Sequence, residues 1–252
     1  MMWDGWELTD NTRRLRELHV KLATETGNPE QAFNLIATHC EIVARIALKI
    51  AVATARMNAV DSSSTVDLAD LIPIAPPSRN VNDINAPSDS DSNRNLLIEG
   101  ALAHDIGTYS VLDPANLSRE KEPIFCKKDY IQHGLRGYDI LIDNGFKTDI
   151  AYFARNHTGV GITRDDCIKQ NLNLPVDDYV AQTVLQEIVM LADKFHTKSL
   201  PAKFVSASTA ARRCEKFGAE NRARWDKLES RFVLPSHDVL EELAQEYEMS
   251  VI

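Results

Sequence analysis

Hydrophobic positions along the chain recur at helical spacing, and no segment alternates for long as a strand would. Residues 9–26 (TDNTRRLRELHVKLATET) place Leu15, Leu18, His19 and Leu22 on one stripe, which predicts an amphipathic helix. Gly27 stops it. Asn28-Pro29 restarts the chain, with Asn as the cap and Pro at the first helical position. The second helix is predicted from about Pro29 to Met57. Phe33, Ile36, Val43, Ile46 and Ile50 mark one face, and Ile42 and Leu48 widen it, so this helix should be largely buried. His39 lies on that same apolar face.

Residues 58–95 lose the period. Stretches such as DSSST, APPSRN and APSDSDSNRN have loop or disorder composition, which predicts an insertion between two core helices rather than a domain boundary. Within it, residues 66–74 form an apolar patch able to dock on a surface. Residues 96–105 (LLIEGALAHD) resume the helical pattern, and 106–127, with Pro114 and Pro123, read as irregular. A helix from Lys128 to about Asn144 carries His133 near its start and ends at Gly145. Residues 147–157 form a short helix ending in Asn156-His157, followed by a tight turn at Thr158-Gly159-Val160-Gly161. Thr163 caps another short helix, with Asp165 and Asp166 in its first turn. A long helix is predicted over 177–198, and two polar amphipathic helices, about 207–231 and 236–248, finish the chain. The fold class is all-α: one domain over 1–252, with a core at about 29–200 and a C-terminal extension at about 201–252.

The chain has 252 residues, 44% of them hydrophobic, enough for a substantial core. Lys+Arg 28 against Asp+Glu 37 leaves a formal charge of -9, which argues against general nucleic-acid binding. A small phosphorylated substrate held by a few local cations stays compatible with it. Cys40, Cys126, Cys167 and Cys214 form no CxxC pair. No apolar run approaches the roughly 20 residues of a membrane span. The opening Met1-Met2-Trp3 begins no targeting pattern, and a reduced, cytoplasmic setting is expected.

The chemistry centres on Leu102-Ala103-His104-Asp105-Ile106-Gly107, where an imidazole and a carboxylate sit side by side at the end of an apolar run. Neighbours on a helix point about 100° apart, but at a helix end they can converge, and Gly107 frees the backbone there. Nitrogen and oxygen donors together suit a borderline divalent metal. His39, His133, His157 and Asp193 are further polar residues on otherwise apolar helices. Each alone has a plain structural reading: a satisfied core histidine, a helix-end residue, an ion pair with Lys194. Collectively they are harder to dismiss, because a carboxylate within a buried helix is costly unless paired or metal-bound.

The order His … His-Asp … His … His … Asp resembles that of the HD-domain metal-dependent phosphohydrolases. HCEIVARIALKIA is similar to that superfamily's first ligand helix and ALAHDIG to its signature helix. QHGLRGYDIL and ARNHTGVGI resemble the segments of the third and fourth histidines, and EIVMLADKFHTK its closing helix. The C-terminal part, with FHTKSLPAKF and KFGAEN, is similar to a subgroup of bacterial HD proteins without an assigned substrate. The resemblance implies an HD-type helical bundle with two added C-terminal helices. It implies two divalent ions, Fe or Mn first and Mg, Ni, Co or Zn as possibilities. His39, His104, Asp105 and Asp193 would hold one ion. Asp105, His133 and His157 would hold the other, with Asp105 shared. Two such cations can activate a bridging hydroxide for attack on phosphorus, with His104 and Asp105 at the catalytic centre.

The implied activity is hydrolysis of a phosphate ester of a nucleotide-like or other small phosphorylated molecule. The same scaffold resembles that of di-iron oxygenases, and a non-catalytic nucleotide-binding module is a third reading. Two departures bear on this choice. Thr108 stands where many relatives have Lys, and the extension typical of cyclic-di-GMP phosphodiesterases is absent after His157. Phosphate contacts are therefore expected elsewhere: from Lys194 and Lys198, four apart on the predicted helix of Asp193, and from Arg136, one turn after His133. Arg155 is expected to face solvent, and Glu41 with Arg45 to form a surface ion pair.

Overall fold

The computed structural model describes residues 9–60, 89–113 and 125–252. Ten helices form the described fold: α1 (Asp10–Thr24), α2 (Pro29–Val60), α3 (Asp89–Ala103), α4 (His133–Asp143), α5 (Thr148–Asn156), α6 (Arg164–Lys169), α7 (Val184–Ala192), α8 (Ala207–Glu215), α9 (Ala219–Glu229) and α10 (His237–Glu246). Two two-residue strands, β1 (Lys203–Phe204) and β2 (Ser250–Val251), pair in parallel. The all-α expectation therefore holds, with one small strand pair that no alternating pattern announced.

Capping groups set many helix boundaries. The Thr9 hydroxyl accepts from Thr12 N (3.1 Å), and the Asn28 side chain accepts from Gln31 N (3.4 Å). At α6, Thr163 and Asp166 form a reciprocal capping box, satisfying two N-terminal donors at once. The apolar stripe of α2 is buried as its period requires: Ile36, Val43 and Ile46 are fully enclosed. It packs on α3 and α7, while α4 packs on α5.

Several boundaries differ from the sequence expectation. α2 continues through residues 58–60, and α3 begins at Asp89, so both flanks of the expected insertion are helical. Residues 61–88, including the apolar patch at 66–74, lie outside the described residues. Residues 106–111 are not irregular but form a 3-10 helix. The helix expected over 177–198 is only α7. Residues 177–183 run as a loop whose Tyr179 pairs backbone to backbone with Ile162 (2.7 and 3.0 Å), and Thr183 caps α7 by accepting from Gln186 N. At its other end the chain tightens to a 3-10 turn over Asp193–Phe195, and His196 is extended. The helix expected over 207–231 is divided at Gly218, whose φ of 109° no helix accommodates.

Two surface expectations also change. Arg155 does not face solvent; its guanidinium lies 4.4 Å from the Tyr179 ring centroid and pairs with Asp177 (2.6 Å). The Glu41–Arg45 pair exists at 3.3 Å, but Glu41 is buried and also accepts from Tyr247 Oη.

Candidate metal centre

The HD dipeptide lies where α3 ends. After Ala103 the helix opens, and Thr108 closes the following turn by donating both its N–H and its hydroxyl to the Asp105 carbonyl (3.0 and 2.6 Å). Thr108 is thereby fully buried, its hydroxyl committed to the backbone. Gly107 lets this turn press against α4: a Cβ there would stand 2.0 Å from His133 O and 2.4 Å from Gly137 N. That close approach brings Asp105 to His133.

Three of the histidines are set by one local device. His104 Nδ1 meets Ala101 O (2.6 Å), His133 Nδ1 meets Tyr130 O (2.6 Å), and His157 Nδ1 meets Ala154 O (2.8 Å). In each case the ring donates to the carbonyl three residues back. This orients all three rings with Nε2 inward. Burial, which lowers His133 and His157, leaves those two Nε2 atoms as lone-pair donors. At His104 burial is outweighed by Cys40, Asp193 and Asp105, which raise it to about 10 in the metal-free protein. His39 is held differently, with its Nδ1 2.9 Å from His196 Nδ1, while His196 Nε2 lies 3.3 Å from Met249 Sδ.

The six residues singled out in the sequence come together as two groups sharing Asp105. In one, donor atoms of His39, His104, Asp105 and Asp193 all lie within 4.8 Å of one another; in the other, those of Asp105, His133 and His157 do. His39 Nε2 is 2.9 Å from Asp193 Oδ1 and 3.3 Å from Asp105 Oδ2. On the opposite side, Asp105 Oδ1 is 3.5 Å from His133 Nε2 and 3.4 Å from His157 Nε2. The two oxygens of a single carboxylate thus face different groups.

The electrostatics match a cation site. Burial pushes His133 down to about 3 and His39 to about 4, and burial also lowers His157, so these rings are neutral near pH 7. His133 Nε2 and His157 Nε2 nonetheless approach to 3.0 Å with each ring's proton committed at Nδ1. Two lone pairs in such contact call for a positive centre. Burial opposes ionisation of Asp105 and Asp193, yet Lys198 beside Asp105, and Lys194 and Lys198 beside Asp193, hold both well below the usual carboxylate range. Neither Asp105 oxygen makes a hydrogen bond, although both are buried; Oδ2 has the Lys198 ammonium and the His39 and His104 rings beside it. Ionised and surrounded by imidazole nitrogens, Asp105 fits a divalent metal.

A cavity of about 780 Å³ opens beside this centre and is lined at that end by His133, His157, Asp193, Lys194 and Lys198. The two lysines do not share a helical face, because Lys198 follows the extended His196. They still converge on the carboxylates: Lys194 Nζ is 2.5 Å from Asp193 Oδ2, and Lys198 Nζ is 3.8 Å from Asp193 Oδ1. Burial works against the Lys198 charge, but Asp105 raises its pKa well above the ordinary value, so it stays an ammonium. Arg136 is placed elsewhere. It donates to Gln132 Oε1 and Ser110 O and is not among the cavity-lining residues. His196 and Tyr130 line the cavity as well. Sequence reasoning gave them no role; the one signal was the position of His196, three residues after Asp193.

The HD domain family model matches residues 36–198, a span that contains all six donors. The chain belongs to the HD-domain family. HD domains bind divalent metals, and the two groups described above are where this one offers donors for them. Similarity to curated proteins is narrower. The chain is 35% identical over 100 residues to a tRNA (cytidine(56)-2'-O)-methyltransferase of Picrophilus torridus, covering 40% of this chain and 24% of that protein. It is 41% identical over 101 residues to an uncharacterized protein of Methanocaldococcus jannaschii, covering 39% of this chain and 48% of that one. The chain thus spans only a quarter to a half of the curated relatives it matches. No solved structure matches it. Among the described residues, no helix is long and apolar enough to cross a membrane.

Proposed function

We propose that this HD-domain protein is a metal-dependent phosphohydrolase acting on a small phosphorylated molecule. The observation that carries the reading is the shared carboxylate: Asp105 presents one oxygen to His39 and the other to His133 and His157. His39, His104, Asp105 and Asp193 would hold one divalent ion and Asp105, His133 and His157 a second. When bound, such ions lower the pKa of a water and neutralise phosphoryl oxygens.

The protein's own groups do the remaining work. Lys194 and Lys198, at the metal end of the cavity, grip the phosphate as point charges. Tyr130 lies beside Lys198, whose Nζ is 5.9 Å from its ring centroid. Burial raises the Tyr130 hydroxyl to about 12, so it remains a proton donor for a phosphoryl oxygen. The Nδ1 hydrogen bonds of His104, His133 and His157 hold the rings in place as charge develops. Methyl transfer, named for the Picrophilus relative, is not carried over, because the similarity covers only 24% of that protein.

The test is phosphate release from a broad panel of phosphate esters by protein loaded with Mn or Fe. Release that is lost in Asp105→Ala supports the reading. A metal-loaded protein inert across the panel, or one whose rate survives Asp105→Ala, overturns it.

A further inference from the structure

The HD family match ends at Lys198, but the cavity does not. Ala210, Arg213 and Cys214 of α8, Phe217 of the following turn and Asn221 of α9 build one of its walls. Facing the same space are Ile131, Val160, Ile162 and Leu172. Ile131 and Leu172 pack against Ile162 in a small apolar cluster separate from the main core.

Three polar side chains on this side, Asn221, Gln170 and Asp166, are bonded within the protein. Asn221 Nδ2 donates to Phe217 O (3.0 Å), Gln170 Nε2 to Asp166 Oδ1 (3.4 Å), and Asp166 Oδ2 accepts from Arg224 (2.8 Å) and from the Thr163 hydroxyl (2.8 Å). A nucleobase is selected by donors and acceptors placed along its edges, and this wall offers mostly carbon. Phe217 is 70% exposed, a large ring left in water at the edge of a cavity. Arg213, one helical turn before it, is exposed as well and makes no hydrogen bond or ion pair among the described residues.

We propose that the cavity takes a phosphorylated compound with an apolar body. Its phosphate lies at the Lys194–Lys198 end, its body lies against Ile162, Leu172 and Phe217, and the C-terminal helices α8 and α9 set this selectivity. The assignment rests on the phosphohydrolase reading only in taking the anionic end of the ligand to face the metal centre. Each methylene withdrawn from water is worth up to roughly fourfold in affinity. Chain length is therefore a sensitive probe of an apolar wall.

The experiment is calorimetric titration of the full-length, Mn-loaded protein, in anaerobic buffer, with methyl-, butyl- and octylphosphonate. The phosphonate analogue of adenosine monophosphate serves as the polar comparison. We expect Kd to fall at least tenfold from methyl to octyl, and octylphosphonate to bind more tightly than the adenosine analogue. Phe217→Ser and Leu172→Ala should each weaken octylphosphonate several-fold and leave methylphosphonate unchanged. The exposed Phe217 ring supports no core contact, so its replacement does not threaten folding. A flat length series, no binding by any of the phosphonates, or tighter binding of the adenosine analogue overturns the assignment. Phosphate release from octyl phosphate is measured separately. No release with an intact length series sinks the hydrolase reading alone, and release with a flat series sinks the pocket assignment alone.

Discussion

The two donor groups that share Asp105 are assembled in opposite ways. His133 and His157 stand at the start of α4 and the end of α5, adjacent antiparallel neighbours, and each ring is locked by a carbonyl three residues earlier in its own chain. Short-range geometry nearly completes that group. The other draws His39 from the middle of α2, His104 from the end of α3 and Asp193 from the end of α7, residues separated by up to 154 positions. Its His39 has no local lock and leans on His196, which in turn touches Met249 near the C-terminus. A group built from local contacts survives distant changes, whereas one built from long-range contacts transmits them.

The largest expected effect removes what the groups share. Asp105→Ala should reduce bound metal to background in elemental analysis and lower phosphate release by roughly 10³-fold, the scale for deleting a key electrostatic group. Metal retained in either group would show that the carboxylate is not common to both. Next is the contact that joins them. Gly107→Ala places a Cβ against His133 O and Gly137 N, backbone atoms that cannot rotate away. Overpacking of this kind should cost about 3 kcal/mol in chemical denaturation and weaken the His133 group first. Unchanged stability would mean that the approach of the HD turn to α4 is looser than it stands.

His196→Ala separates the groups directly. Removing the partner that orients His39 should weaken metal affinity at the His39 group by roughly 10–100-fold and leave the His133 group intact. A metal titration with two phases resolves this, and equal losses in both would erase the contrast between them. The smallest effect lies at the edge of the cavity. Burial raises the Asp166 pKa, but the Thr163 N–H and hydroxyl and the Arg224 guanidinium outweigh it, and the net shift is downward. A carboxylate lowered by folding stabilises the fold above its unfolded pKa of about 4 and loses that contribution as pH falls through the folded value. Asp166→Asn should therefore cost about 1 kcal/mol at pH 7, with the gap from wild type closing below pH of about 4, followed by denaturation across pH. A gap that persists in acid would assign the effect to packing.

Legibility in the sequence followed the range of the interactions. Thr9, Asn28 and Thr163 act within four residues of themselves, so their caps could be read from the chain. The buried stripe of α2 follows from a 3.6-residue period that needs no knowledge of a partner. His19 shows where a period stops being informative. It shares an apolar face with Leu15 and Leu18 much as His39 does with Ile36, yet it is a satisfied core histidine, bonded to Tyr109 Oη and Leu102 O. The 177–198 segment misled for a related reason. Its apolar spacing continues past the point where Tyr179 is claimed by Ile162 and the helix cannot begin before Thr183.

By itself, the sequence determined the all-α class and most helix starts, because these rest on local propensity and period. The order of its histidines and aspartates, through its resemblance to HD proteins, pointed to the six residues that the structure gathers into two groups. The resemblance already implied that Asp105 is shared. Only the tertiary structure decided which oxygen faces which group, that Lys198 reaches the carboxylates from beyond a helix end, and that His196 supports His39. It also decided that α8 and α9 wall the cavity and that Arg136 lies outside it. Each of these depends on which helix packs against which. A chain's periodicity records that a face must be covered but not by what.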